Sequence, residues 1–194
     1  VNGATPRTRV VYIGANDGML HGFDAGNSTS ANPGTGAELV AYVPRGMIHD
    51  LKTYVAADYA HRYWVDGSTF TGDAQIQAQT GESGTGRYNG WRTVLVGTLG
   101  AGGKGYFILD VTNPADFSEA NASNLAIMDR TFATSDTTAD VDFGHQIHEA
   151  VEDANNLSKS GHIVQINLDS GVNTGQKQWA AIMGNGINST NGKP

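Results

Sequence analysis

The stretch Val10-Val11-Tyr12-Ile13-Gly14-Ala15-Asn16-Asp17-Gly18-Met19-Leu20-His21-Gly22-Phe23-Asp24-Ala25 decides the fold class of this chain. A run of β-branched and aromatic residues meets Asn16-Asp17-Gly18, and a second apolar run follows and ends at Asp24. Asn and Gly accept the positive φ that tight hairpin turns require. The stretch therefore predicts two antiparallel strands joined by a tight turn.

The pattern of this hairpin returns twice downstream. A β-branched run at residues 93–97 is followed by a glycine-rich loop and an apolar run at 106–111, and the first half appears again at 180–186. The units recur about every 85 residues, whereas a propeller blade has roughly 40–50. Each period therefore holds either two blades or one blade with insertions.

Two pairs of residues mark the repeat. Gly14 and Gly97 end the first runs, 83 positions apart, and Asp24 and Asp110 end the second runs, 86 positions apart. A repeated aspartate favours a structural task, such as accepting hydrogen bonds from turn N–H groups, over catalysis.

These repeats predict an all-β β-propeller with quinoprotein-like repeats and modified blades. The third unit lacks its second strand before Pro194, so we expect residues 1–194 to form a single segment, the N-terminal part of a larger propeller. We also expect open sheet edges to make the isolated segment self-associate.

Composition excludes several classes of function. The 194 residues carry a formal net charge of −7, which disfavours binding to nucleic acid. There is no cysteine, so this stretch has neither disulfides nor thiolate metal sites. No run of about 18 apolar residues is present that would span a membrane.

Local patterns predict further elements. Met47, Leu51 and Val55 recur at four-residue steps, which predicts one short helix near 47–59. Strands are predicted at six more places, the last two pairing with each other: 38–43, 62–67, 73–79, 125–128, 162–169 and 178–184. Three polar loops are the candidate contact loops for partners: 27–36, 81–90 and 119–124.

Several motifs together resemble the C-terminal β-propeller of the PilY/PilC family, which comprises type IV pilus tip-associated biogenesis factors and adhesins. The resemblance extends from about Val10 to Ser189. The motifs, in chain order, are Gly14-Ala15-Asn16-Asp17-Gly18-Met19-Leu20-His21, Ala41-Tyr42-Val43-Pro44, Tyr63-Trp64-Val65-Asp66-Gly67, Trp91-Arg92-Thr93-Val94-Leu95-Val96-Gly97, Leu99-Gly100-Ala101-Gly102-Gly103-Lys104-Gly105, Leu109-Asp110-Val111-Thr112-Asn113-Pro114 and Met183-Gly184-Asn185-Gly186.

The resemblance implies a non-enzymatic role in pilus assembly, in the control of extension and retraction, and in adhesion and virulence. Implied partners are minor pilins, other pilus tip components and host-cell receptors, at the cell surface, pilus tip or outer membrane of a Gram-negative bacterium. The family also binds calcium through a loop rich in Asp and Asn. By the family layout that loop is expected beyond Pro194, so no calcium site is predicted in this segment.

An enzyme is the alternative hypothesis. The hairpin at residues 10–25 also resembles the repeats of quinoprotein dehydrogenases, which hold pyrroloquinoline quinone and calcium in a propeller. Such an enzyme requires a cation beside a catalytic carboxylate, and the sequence offers no convincing group. A third, simpler hypothesis is a periplasmic or outer-membrane scaffold without a link to pili.

Other motifs have ordinary interpretations. Residues 100–105 satisfy G-x-G-x-x-G, but a strand-like run follows where a dinucleotide site needs a helix, so we predict a hairpin loop. Asp136, Asp140 and Asp142 could supply oxygen ligands to a hard cation, although a solvated acidic loop is the more ordinary interpretation.

Histidines and tryptophans also favour structural interpretations. His145 and His148 with Glu149 lack the spacing of a zinc motif. Three tryptophans each lie beside a predicted strand, where a buried ring would stabilise the core. They are Trp64, Trp91 and Trp179.

Overall fold

The computed structural model describes residues 7–27, 33–76, 90–133, 162–167 and 177–183. Within these ranges the chain forms nine strands in three antiparallel sheets, of order β1-β2-β3, β4-β5-β6-β7 and β8-β9. The strands are β1 (Val10–Gly14), β2 (Leu20–Asp24), β3 (Glu38–Tyr42), β4 (Phe70–Ile76), β5 (Gly90–Thr98), β6 (Gly103–Asp110), β7 (Ala126–Ala133), β8 (His162–Asn167) and β9 (Lys177–Ile182).

The first hairpin forms as predicted. Strands β1 and β2 pair in a register that runs from Val10 opposite Asp24 to Gly14 opposite Leu20. Gly18 has a φ of 92° in the turn, a conformation that side-chain-bearing residues rarely adopt. The Asp17 carboxylate accepts a hydrogen bond from the Met19 N–H at 3.0 Å and thereby stabilises the turn.

The repeat is also confirmed, with one correction of register. Val94 lies opposite Asp110 in the β5–β6 hairpin, as Val10 lies opposite Asp24 in the first hairpin. When the aspartates are aligned in this way, Gly14 corresponds to Thr98, so the equivalence with Gly97 was wrong by one residue. In the first period, which is described except for residues 1–6, 28–32 and 77–89, one three-stranded sheet is followed by an insertion and by β4 of the second sheet.

The insertion between the first two sheets, residues 43–69, begins with two short helical elements. Helix α1 (Arg45–Ile48) is followed by a 3₁₀ helix (Leu51–Val55), so the helix predicted near 47–59 lies in the correct place but is interrupted. The strand predicted at 62–67 is wrong, because no strand forms there.

Residues in that insertion form hydrogen bonds with both neighbouring hairpins. The Val65 N–H donates to the Ala15 carbonyl at 3.3 Å, and the Asp66 N–H donates to the Leu99 carbonyl at 3.1 Å. Consecutive residues thus bond to two different sheets, which prevents continuous pairing with either one. Trp64 and Val65 are nonetheless fully buried between the sheets.

The other predicted strands fare better. Strand β4 occupies the edge of the second sheet in place of the strand predicted at 73–79, and β8 pairs with β9 as expected. The candidate contact loop at 119–124 contains a 3₁₀ turn (Glu119–Asn121) and most of helix α2 (Ala122–Leu125), and its role as a contact loop stays a prediction.

The core lies between the first and second sheets. Its centre contains Trp64 from the insertion and Phe107 from β6, both without solvent exposure. The ring of Tyr42 on β3 packs 5.2 Å from that of Phe107 and so joins the two sheets. The buried members of the cluster are Leu20, Met47, Trp64, Val65, Leu95, Leu99, Phe107, Leu109 and Val111.

Asp129 on β7 joins the end of the first sheet to the second. One carboxylate oxygen accepts hydrogen bonds from the Tyr42 hydroxyl at 2.6 Å and the Arg45 N–H at 2.7 Å. The other accepts from the backbone N–H and the hydroxyl of Thr131. Burial, and to a lesser extent the hydrogen bond to Asp129, raise the pKa of Tyr42 above its ordinary value.

Replacing Asp129 with Ala should destabilise the propeller by roughly 2–3 kcal/mol, because four donors lose a charged acceptor at once. Denaturant unfolding of the full-length protein measures the change. Asp58→Ala is the matched control, since Asp58 is exposed in the insertion, and it should shift stability by no more than about 0.5 kcal/mol. Equal effects of the two substitutions would show that the hydrogen bonds accepted by Asp129 contribute nothing to the free energy of unfolding.

Candidate interaction surface

The insertion presents an aromatic segment, residues 54–64, at the surface. The ring of Tyr54 stacks on Trp64 with centroids 4.5 Å apart and on Tyr59 at 5.4 Å. The Arg62 guanidinium lies over the Trp64 ring at 4.4 Å and donates to the Asp50 carboxylate at 2.7 Å. The segment is thus held by stacking and by a partly buried ion pair rather than by strand pairing.

The base of the segment is fixed and its outer side is open. The Tyr54 hydroxyl donates to the Asn16 carbonyl, and burial raises the pKa of Tyr54 to about 12. Above this base, Tyr59 is 38% exposed and Tyr63 is 55% exposed. Aromatic side chains with Arg are the residues that most often contribute strongly to protein–protein binding.

A second candidate surface is the helical excursion at residues 117–125. It lines a cavity of about 460 Å³ between the first two sheets, together with side chains such as Tyr12, Val40 and Leu109. Phe117 packs against the core cluster, whereas Glu119 is exposed. The excursion therefore places polar residues at the rim of a mainly apolar cavity.

The aspartates of the repeat have the structural task predicted for them. Asp24 accepts from the Gly26 N–H at 2.8 Å, and Asp110 accepts from the Thr112 N–H at 3.0 Å. Asp129 makes the same contact with Thr131, a member of the set that the sequence pattern did not reveal. A search for Asp-x-Thr in strand-like runs would have found it together with Asp110, although Asp129 lies within β7 and not at its end.

Asp24 also anchors the described part of a candidate contact loop. Both the N–H and the hydroxyl of Thr35 donate to its carboxylate. Hydrogen bonds from Gly26 and Thr35 lower the pKa of Asp24 below its ordinary value. The anchoring is therefore present above the ordinary pKa of aspartate and is lost as the pH falls through the lowered pKa.

Comparison with known proteins decides the family. The family model described as the PilY1 beta-propeller domain matches residues 2–193. This chain belongs to the PilY1 β-propeller family. The prediction of an all-β propeller of the PilY/PilC type is thereby confirmed.

Individual PilY1 relatives agree with this assignment. Two type IV pilus biogenesis factor PilY1 homologs of Xylella fastidiosa are 35% and 39% identical over 94% and 95% of this chain. The type IV pilus biogenesis factor PilY1 of Pseudomonas aeruginosa strain UCBPP-PA14 is 33% identical over 98% of it. The chain spans only 9%, 11% and 12% of these three proteins.

A solved structure supports the fold. The crystal structure of the Pseudomonas aeruginosa PilY1 C-terminal domain matches 95% of this chain with 30% identity and a TM-score of 0.50. The match covers 26% of that PilY1 domain. Within the described residues, no helix is both long and apolar enough to cross a membrane.

Several predicted site residues lie outside the part of the PilY1 propeller that the structure describes. These are Asp136, Asp140, Asp142, His145, His148, Glu149, most of the loop at 81–90 and residues 28–32 of the loop at 27–36. In the described ranges, no three His, Asp or Glu side chains are grouped to hold a metal ion.

The predictions for the tryptophans and the glycine-rich loop have mixed outcomes. Trp64 is buried as expected, but Trp91 is 55% exposed, and its ring makes an edge contact with Trp179 at 5.4 Å. Trp91 was therefore wrongly predicted to be a core residue. Residues 100–105 lie in the β5–β6 hairpin, as predicted, with a 3₁₀ turn at Gly100–Gly102 and the start of β6 at Gly103.

Replacing Arg62 with Ala should loosen the aromatic segment, because the stack loses its cation and Asp50 loses its partner. We expect a loss of about 1–2 kcal/mol and faster thermolysin cleavage within residues 54–64. Arg62→Lys should give an intermediate result, since an ammonium keeps the charge but not the planar stacking. Lys52→Ala is the control, and cleavage as fast in that variant would contradict the assignment.

Proposed function

We propose that this chain belongs to a non-enzymatic type IV pilus biogenesis factor, and that its propeller is a rigid scaffold that binds pilus components. The observation that carries the proposal is the exposed aromatic segment on a fixed base, in a chain of the PilY1 family. The relatives are named as type IV pilus biogenesis factors, which supports a role in assembly.

The packing of the aromatic segment suits it to protein recognition. Tyr54 and Trp64 stack with an interplanar angle of 14°, so Tyr59 and Tyr63 are presented by neighbours that are already ordered. A pre-ordered aromatic surface loses little conformational entropy when a partner binds. The absence of a strongly charged patch in the segment favours a partner surface that is apolar rather than highly charged.

The proposed partners are minor pilins and other components of the pilus tip, with host-cell receptors as further partners. The corresponding location is the cell surface, at the pilus tip or outer membrane. In this proposal the 194 residues are the first part of a larger propeller, and binding at the tip influences the balance of pilus extension and retraction.

The double substitution Tyr59→Ser/Tyr63→Ser should weaken binding of the full-length protein to purified minor pilins by at least about tenfold. Because Tyr59 also stacks on Tyr54, a small fall in the melting temperature is expected, so the affinities are compared at a temperature at which the variant is fully folded. Biolayer interferometry with each minor pilin measures the affinity, and pilus counts on cells measure assembly.

Glu119→Ala in the helical excursion is the matched control. If it weakens binding while the double variant does not, the contact lies at the excursion, and the assignment to the aromatic segment is wrong. Unchanged binding and unchanged pilus counts in both variants would contradict a role for this part of the propeller.

The enzyme alternative makes a different prediction. A quinoprotein would acquire the absorbance of bound pyrroloquinoline quinone and oxidise alcohols when quinone and calcium are added. We expect neither from the purified full-length protein. A quinone chromophore with dehydrogenase turnover would overturn the non-enzymatic proposal.

A further inference from the structure

The cavity beside the helical excursion has the size of a small-molecule binding site. Its volume of about 460 Å³ lies within the range of about 300–1,000 Å³ that is usual for such sites. Val40 of β3 lines it from the first sheet, and Leu109 and Val111 line it from the second. A ligand in the cavity would therefore contact apolar side chains of both sheets.

Gly22 explains why the first sheet leaves this space open. Tyr12 and Val40 pair with Gly22 from its two sides. A β-carbon at Gly22 would lie 2.7 Å from Cγ1 of Val40 and 3.0 Å from Cε1 of Tyr12. The Tyr12 ring thus leans across the glycine along the first sheet, and the space between the sheets beside it stays unfilled.

The helical excursion that covers the cavity is held by its own side chains. The Asn113 side chain accepts a hydrogen bond from the Ala115 N–H at 3.2 Å and so fixes the start of the segment that leads into the excursion. The Asn121 side chain donates to the Asp116 carbonyl at 3.1 Å, and the Asn124 side chain donates to that of Asn121 at 2.7 Å. The cavity is therefore preformed, and a ligand can bind without first ordering a loop.

The charged groups around the cavity are acidic. Among the described residues that line it are Asp110 and Glu119 but no Lys, Arg or His, and burial raises the pKa of Tyr12 to about 12, so its hydroxyl is uncharged at neutral pH. The Asp110 carboxylate already accepts from the Thr112 N–H at 3.0 Å and lies 3.6 Å from the Arg92 guanidinium.

Glu119 is the carboxylate that remains for a ligand. It is exposed at the rim of the cavity, and in the described part of the chain no Lys, Arg or His nitrogen lies within 4.0 Å of its carboxylate. An apolar space with a carboxylate at its rim suits a molecule that is apolar at one end and positively charged at the other.

We propose that this cavity binds a small organic amine, with the apolar body of the amine between the two sheets and its ammonium group beside the Glu119 carboxylate. An anionic molecule of the same shape would meet like charge at the rim and is excluded. The proposal is independent of the binding of pilus components by the aromatic segment.

Three probes with nearly the same apolar body test the preference for a cation. They are phenethylamine, phenethyl alcohol and phenylacetate, which are positive, neutral and negative at neutral pH. In ligand-observed NMR titrations of the full-length protein, the amine should bind about three- to fivefold more tightly than the alcohol, as expected for a partly exposed ion pair. Phenylacetate should not bind measurably.

Glu119→Gln should reduce the affinity for the amine to that for the alcohol and leave the affinity for the alcohol unchanged. Equal affinities for the amine and the alcohol in the unsubstituted protein would overturn the choice of a cation. Failure of all three probes to bind would overturn the site itself.

Substitutions that fill the cavity test where the probes bind. Ala126 packs against the core cluster and lines the cavity, so Ala126→Leu should weaken binding of the amine and the alcohol alike by at least about tenfold, because the added carbons occupy the space of the ligand. Val40→Phe replaces this variant if circular dichroism shows that it does not fold.

Ala57→Leu is the matched control, since it adds the same carbons at an exposed position of the insertion, and it should leave both affinities unchanged. Binding of the amine that persists in Ala126→Leu and in Val40→Phe would show that the probe binds elsewhere and would overturn the proposal.

Discussion

The backbone of Trp64 and Val65 lies between the first and second sheets, and the rest of the fold depends on this arrangement. The Trp64 backbone comes so close to Gly102 that a β-carbon there would lie 1.7 Å from the Trp64 carbonyl oxygen, and a β-carbon at Gly14 would lie 2.3 Å from that of Val65. Only glycine permits these approaches. The insertion therefore acts as a wedge between two hairpins, and it sets the distance at which the sheets pack.

Short-range turn chemistry made much of the fold predictable. Asn16-Asp17-Gly18 strongly favours the conformation of a tight hairpin turn, so the first hairpin and its repeat at residues 93–111 could be inferred from residue type alone. The same applies to the pair β8 and β9, each a short run of alternating residues. The family resemblance located the chain in a propeller, and its motifs coincide with the hairpins and with the buried Trp64.

The remainder could not be predicted, because it depends on hydrogen bonds to residues that are distant in the sequence. Residues 62–67 have the composition of a strand, but their hydrogen bonds go to Ala15 on one side and Leu99 on the other. Nothing local distinguishes such a wedge from a strand. Likewise, the polar loop at 119–124 folds into helical turns in which the Asn121 side chain donates to the Asp116 carbonyl at 3.1 Å and the Asn124 side chain donates to that of Asn121 at 2.7 Å. The aromatic segment became evident only from its stacking.

The hydrogen bonds that Asp129 accepts from the first sheet and helix α1 can form only late in synthesis of the chain. Tyr42 and Arg45 find their acceptor 87 and 84 residues further along the chain, so a nascent chain that has reached only the insertion holds these donors unsatisfied. At typical rates of synthesis the gap corresponds to roughly 5–15 s. During that interval the end of the first sheet has no attachment to β7, and water takes the place of Asp129 at both donors.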